Sequence, residues 1–257
     1  MYLTTFIRTV AIAAGIALTS NAAWAQSTAA ELMAKGDVSD HSFHPGEALR
    51  SYLPAEKLDP DNVPLLLRIA RQYRHLMSDT LTDKEKIRLG GIALTYGIKA
   101  AKLGPKDSEA QLSPAITYGK MLPFQGKAEQ VLATPRIKES ADRAIKLDPR
   151  NDSAWHVLGR WHQSLANVNG LKRTFGGILY GKLPVGTNAE SVACFNKAIA
   201  INPKRLRHYI ELGRTYAQME DHATARRFLK KGLAMPDVEK DDPEEKLRGR
   251  EALAKLP

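Results

Sequence analysis

An all-α solenoid of about five stacked helix pairs, compact and curled, is the fold class this sequence predicts, and three observations predict it. The first is punctuation: Leu58-Asp59-Pro60, Leu103-Gly104-Pro105, Leu147-Asp148-Pro149 and Ile201-Asn202-Pro203 each close an apolar-periodic run, at intervals of 45, 44 and 54 residues. Proline lacks an N–H donor and crowds the preceding turn, so each stop ends one antiparallel hairpin and begins the next. The second is a set of small residues at fixed offsets before each stop, which lets paired helices approach closely. The third is surplus spacing inside three of the units, which lengthens helices and curls the stack.

Taking Pro203 as position 32 of a tetratricopeptide (TPR) repeat tests the register. It places Ala198 at position 27, Phe195 at 24 and Ser191 at 20, with Trp155, Leu158 and Gly159 at 4, 7 and 8 of the first helix. The first unit keeps Gly36, Ala48, Tyr52 and Ala55, and the second keeps Ala70, Tyr73, Ala93 and Ala100. Ala115, Tyr118 and Ala144 mark the third, and Tyr209, Leu212, Gly213, Tyr216 and Ala225 the fifth, whose Pro236 comes one place early. The units therefore run over about 27–60, 61–105, 106–149, 150–203 and 204–236, with a capping helix over 242–255 and a single domain over 26–257.

Between positions 8 and 20 the repeat leaves 12 residues, whereas Ala70 to Ala93 spans 23 and Gly159 to Ser191 spans 32; the third unit carries about 10 extra. Trp155, at position 4, is expected in the core. Trp161, at position 10, is not at a consensus packing position and is expected either to pack beneath the long insert or to face the groove, with packing favoured.

Residues 1–25 read as a secretory leader: Arg8 supplies the positive segment, Val10 to Leu18 a short apolar core, and Ala23-Trp24-Ala25 a small-x-small site cleaved after Ala25. That core is too short to span a bilayer, which takes roughly 20 residues. No cysteine follows the site, which excludes a lipid anchor there, so the mature product is expected in the periplasm or outside the cell. Cys194 is the only thiol, so no disulfide forms within the chain, and beside Phe195 it is expected to pack as a small hydrophobe.

With 38 Lys and Arg against 28 Asp and Glu, the chain is basic, and the excess is concentrated. A helix over 222–233 presents Arg226, Arg227, Lys230 and Lys231 opposite Ala225, Phe228 and Leu229. A solvated outer face accounts for this; the functional reading is contact with an anionic surface such as phospholipid headgroups. No basic groove interleaved with aromatics appears, so nucleic acid is not an expected partner. The acidic run from Glu239 to Glu245 is expected to cap the last helix at its N-terminus.

No catalytic constellation emerges, and no enzyme, cofactor or metal is expected. Gly119-Lys120, Gly126-Lys127 and Gly181-Lys182 lack the glycine loop and the Ser or Thr of a phosphate-binding turn. Asp40, His41, His44 and Glu47 precede a helix rather than share a helical face. His156 and His162, six apart, lie on different sides of one helix.

Beyond the generic repeat, the chain carries Ile145 to Pro149, then Leu158-Gly159-Arg160-Trp161-His162, an insert from Leu171-Lys172-Arg173 to Leu179-Tyr180-Gly181-Lys182-Leu183-Pro184, then Phe195 to Ala198, and Leu212-Gly213-Arg214-Thr215-Tyr216. Over roughly its last 120 residues this resembles the regulator of microtubule dynamics family. The resemblance implies that family's α-solenoid and its phospholipid-binding capacity. Two departures stand out: an export leader replaces an organelle anchor, which makes tubulin an improbable partner, and Arg214 stands where the family usually has lysine.

Two functions follow. The first is a non-enzymatic exported scaffold whose concave surface, lined by the first helix of each pair, holds a protein segment. The alternative is a phospholipid or apolar-ligand site in a cavity closed by the 165–187 insert. There Leu171, Phe175, Ile178 and Leu179 form one apolar stripe, and Lys172 and Arg173 sit at the mouth. Trp161, Lys172, Arg173, Phe175 and Tyr180 are the candidate ligand-contacting residues.

Overall fold

A computed structural model describes residues 27–168 and 183–257. Eleven helices and one short 3-10 turn make up these residues, with no strand among them. In chain order they are α1 (Ala29–His41), α2 (Pro45–Leu58), α3 (Val63–Asp79), α4 (Asp83–Leu103), α5 (Ser108–Met121), α6 (Lys127–Leu147) and α7 (Asp152–Ala166). Then come α8 (Asn188–Ile201), α9 (Leu206–Gln218), α10 (His222–Leu233) and α11 (Asp242–Ala254). Consecutive helices pair as five antiparallel hairpins, and α11 packs on the last of them. The fold is thus an all-α, TPR-like solenoid.

The four stops form one recurring turn. The residue before each proline leaves the helical region, as the following ring requires. Its N–H still donates to the small residue four back: Asp59 to Ala55 at 3.0 Å, Gly104 to Ala100 at 2.8 Å, Asp148 to Ala144 at 2.9 Å and Asn202 to Ala198 at 2.9 Å. Two to three residues later a polar side chain opens the next helix in three of the four cases. Asn62 accepts from Leu65 N–H at 3.0 Å, Asp107 from Ala110 N–H at 3.1 Å and Asn151 from Ala154 N–H at 3.0 Å. Three of the four stops therefore satisfy both a helix end and a helix start, while the fourth leads into α9 at Arg205 without a side-chain cap.

The surplus residues of the second and third units lengthen the second helices: α4 and α6 each run 21 residues. Within the hairpins the small positions mark the crossings. A Cβ added at Gly36 would lie 2.3 Å from the Tyr52 ring, and one at Gly159 would lie 2.9 Å from the Phe195 ring. At Gly213 an added Cβ would meet Leu229 Cγ at 2.8 Å and also backbone, Leu229 N at 2.9 Å and Ala225 O at 3.1 Å, which cannot rotate aside. Gly159→Leu is expected to destabilise by about 1–3 kcal/mol through overpacking, read as the midpoint shift in urea unfolding. Gly213→Ala is expected to lower that midpoint more than Gly159→Ala does. Unchanged midpoints at both positions would contradict the crossing geometry.

Of the two tryptophans, Trp155 is less buried than its repeat position suggests, while Trp161 packs as favoured. Trp155 is only half-buried, its indole N–H donating to Pro149 O at 3.0 Å across the hairpin entrance. Trp161 is 5% exposed and sits in the central core cluster with Ile137, Leu158, Leu165 and Cys194. Its indole N–H reaches Thr134 O at 2.9 Å, so α6, the second helix of the preceding hairpin, buries it. Cys194 is buried and its thiol is pushed up to about 11 by desolvation, the state of a packed side chain rather than a nucleophile.

Candidate binding groove

The first helices of successive hairpins touch one another, α3 with α5, α5 with α7 and α7 with α9, and so form one continuous inner wall. That wall bounds a cavity of about 490 Å³. Its apolar side is Met77 of α3, Ile116 of α5, Leu122 and Phe124 of the 3-10 turn, Ile137 of α6 and Trp161 of α7. Its polar side is cationic, with Lys120 of α5, Arg160 of α7, Arg207 of α9 and Arg248 of α11. Asp241, Glu244 and Glu245, from the C-terminal segment, close the remaining side.

Charge on this wall is organised around buried acids. Glu211 of α9 is fully buried and accepts from Arg160 and, at 2.6 Å, from Arg214. Burial alone would raise its carboxyl, but Arg160, Arg214 and Arg248 outweigh it and hold Glu211 below the usual carboxylate range. Glu245, close by and partly buried, is pushed the other way by desolvation and by Glu211.

A second chain of contacts runs from Asp152 through His208 to His156. Asp152 Oδ2 lies 2.9 Å from His208 Nε2, and the two Nδ1 atoms of His208 and His156 lie 3.0 Å apart. With His208 Nε2–H donating to the carboxylate, His208 Nδ1 accepts and His156 Nδ1–H donates. Burial holds His156 well below its ordinary 6.5, reinforced by Arg207, His208, Arg160 and Arg205. Burial lowers His208 too, against the opposing pull of Asp152.

Both imidazoles bind fewer protons folded than unfolded. Their stabilisation is therefore complete above the unfolded value near 6.5 and is lost as the pH falls towards the depressed folded values. The midpoint of thermal unfolding is expected to drop between pH 7.5 and 5.5. His156→Gln should flatten that slope; equal slopes in the two proteins would remove His156 as a contributor.

Of the sequence-predicted contact residues, Trp161 lines the cavity while remaining core-packed. Lys172, Arg173, Phe175 and Tyr180 lie outside the described residues, as do residues 1–26, which hold the expected leader. The described ends of the insert are fastened to the core: Val168 and Leu183 pack against the Trp161 cluster.

Arg226, Arg227, Lys230 and Lys231 share the outer helix α10, away from the groove. Arg226 reaches the Pro257 carbonyl, Arg227 lies over Phe228 at 5.1 Å and Lys231 lies over Tyr209 at 4.4 Å. The acidic run places Asp242, Glu244 and Glu245 in the first turn of α11 but provides no side-chain cap at its N-cap residue. Asp242 accepts from the N–H groups of Val238 and Glu239, both at 2.8 Å, while Asp241, at the cap position, turns its carboxylate to α5 instead. In the first hairpin Asp40 is committed to Arg71, and His41 Nδ1 to the Asp37 carbonyl at 2.6 Å.

Reasoning along the sequence missed the Asp152–His208–His156 chain and the Glu211 cluster because each joins different hairpins. The available signal was Asp152 and His156 at i, i+4 on one first helix, facing His208 and Glu211 on the next first helix.

The family model for regulator of microtubule dynamics protein 1-3 matches residues 24–257. Regulator of microtubule dynamics protein 2 of Macaca fascicularis is 26% identical over 185 residues, 72% of this chain and 45% of that protein. Protein 1 of Caenorhabditis elegans is 25% identical over 178 residues, 69% of this chain and 78% of that one. The chain thus spans under half the length of some curated relatives it matches. Among solved structures, a thermophilic TPR protein of Thermus thermophilus superimposes with a TM-score of 0.62 at 15% identity, over 88% of this chain and all of that one, a likeness of fold. On the family match, this chain belongs to the regulator of microtubule dynamics protein 1-3 family.

Proposed function

We propose that this protein is a non-enzymatic scaffold that holds a polypeptide segment against the inner wall of its solenoid, and that it works outside the cytoplasm after cleavage following Ala25. The observation that carries the reading is the groove itself, a continuous surface of first helices with an apolar floor and a cationic rim. Solenoids bind through such extended concave surfaces. The leader read over residues 1–25 supports the setting, and although the relatives are named for microtubule dynamics, an exported protein would not meet tubulin. Nucleic acid is not a partner either.

A second reading has a specific observation of its own: the groove narrows to a cavity of about 490 Å³ with apolar and cationic sides, a shape that suits an anionic phospholipid or other amphiphile. Native mass spectrometry of the gently purified mature protein, with lipid extraction, separates the two. The scaffold reading expects an empty chain that retains a polypeptide from envelope extract, lost in Lys120→Glu but kept in Lys230→Glu on the outer face. Stoichiometric phospholipid would favour the cavity reading, and retention indifferent to Lys120 would sink the groove as the site. The location is checked by sequencing the mature N-terminus, expected at Gln26.

A further inference from the structure

The C-terminal segment behaves like a ligand of its own groove. Leaving α10, the chain crosses the inner wall over residues 234–241 and fastens to hairpins far away in sequence. Asp241 accepts from Lys120 Nζ at 2.7 Å and from Ser78 Oγ at 3.0 Å, partners 121 and 163 residues distant. Glu239 pairs with Arg205 at 2.5 Å and faces Arg207 at 3.7 Å. Two strap carboxylates thus sit on wall cations, and one contact runs the other way, Lys240 Nζ of the strap donating to Asp79 at 2.5 Å.

The helix that follows is held differently. α11 rests on α9 and α10 through apolar contact, with Leu253 and Leu256 against the Ile210 cluster. Gly249 lies so close that an added Cβ would be 2.6 Å from Ile210 Cδ1. The strap can thus exchange its ionic contacts while α11 stays in place.

The wall also offers more than the strap uses. Arg207 Nε and Arg248 Nε are buried and donate to nothing among the described residues, while the buried Oε2 atoms of Glu211 and Glu245 accept nothing. Unused buried donors on a wall that already grips two carboxylates define the chemistry of what else fits there.

Resting on the polypeptide-binding reading, we infer that the groove recognises an acidic peptide segment and that residues 237–241 are its internal competitor, displaced when the partner's carboxylates take over Lys120, Arg205 and Arg207. The strap then sets affinity by holding the groove shut, because apparent binding weakens in proportion to the open fraction.

The test uses a dye-labelled synthetic peptide of residues 236–246 and its counterpart with Asn and Gln in place of Asp and Glu, titrated by fluorescence anisotropy into the mature protein. Glu239→Gln with Asp241→Asn, its fold verified by circular dichroism, is expected to bind the acidic peptide about tenfold or more tighter than the unaltered protein. Asp241→Asn alone should shift binding in the same direction, and adding Lys120→Glu should abolish it. Equal affinity in the clasped and released proteins would overturn the internal competitor. Equal affinity for acidic and amide peptides would overturn the charge preference while leaving polypeptide binding intact. Released protein that binds phosphatidylglycerol vesicles and neither peptide would overturn this inference and the scaffold reading together.

Discussion

Trp161→Ala is expected to lower stability by about 3–5 kcal/mol, the range for removing a large aromatic from a packed interior. The indole is 5% exposed, meets the His162 ring edge-on at 4.8 Å and donates to Thr134 O at 2.9 Å. Truncation therefore opens a void between α6 and α7, where one hairpin passes its packing to the next. Equilibrium urea unfolding measures the loss directly, and Trp155→Ala is the control. Trp155 is half-buried and should cost less, below about 2 kcal/mol, as partly exposed positions do. A larger loss at Trp155 than at Trp161 would mean that the hairpins dock in a different register.

The second large effect comes from stranding a charge. Replacing Arg160 and Arg214 together by Met leaves Glu211, fully buried, with Arg248 as its nearest remaining cation. Removing the partners of a buried ion typically costs about 3–5 kcal/mol. The pH dependence gives the loss its signature. In the native protein the arginines hold the Glu211 carboxyl below 4.5; in the double variant burial is opposed far less, and the folded value rises above it.

A group whose folded value is raised binds more protons folded than unfolded, so the deficit relative to the native protein should shrink as pH falls through the raised value towards 4.5. Because Arg160 is also one of the cations that lower His156, both proteins are compared in a His156→Gln background, where the difference between them reports Glu211. Glu211→Gln combined with both substitutions should recover part of the stability at neutral pH. A deficit that is constant from pH 7.5 to 5 would rule out a buried anion as its cause.

Much of this architecture is legible in the residues because it is local. The proline stops, the alanine carbonyl four residues before each turn and the polar caps after three of them are written within a few positions of one another. Gly36 against Tyr52 and Gly159 against Phe195 follow from spacing inside a hairpin. What could not be read depends on contacts between hairpins. Packing of Trp161 could be anticipated, but not that α6 of the preceding hairpin supplies it. Glu211 reads as an exposed helical glutamate until α7 brings Arg160 to it. The acidic tail reads as a helix cap, and its second role appears only when α3 and α5 stand opposite it.

The strap has a consequence for how the array comes apart. An open repeat array is quasi-one-dimensional: each unit feels only its neighbours, and the ends can fray one repeat at a time. Here Asp241 and Lys240 tie the last hairpin to Ser78, Asp79 and Lys120 in the second and third. That bond turns a row into a loop in which melting the terminal repeat also loosens the middle. Protection of backbone amides in hydrogen exchange should accordingly be shared between α9 and α5 rather than decay from the C-terminal end inward.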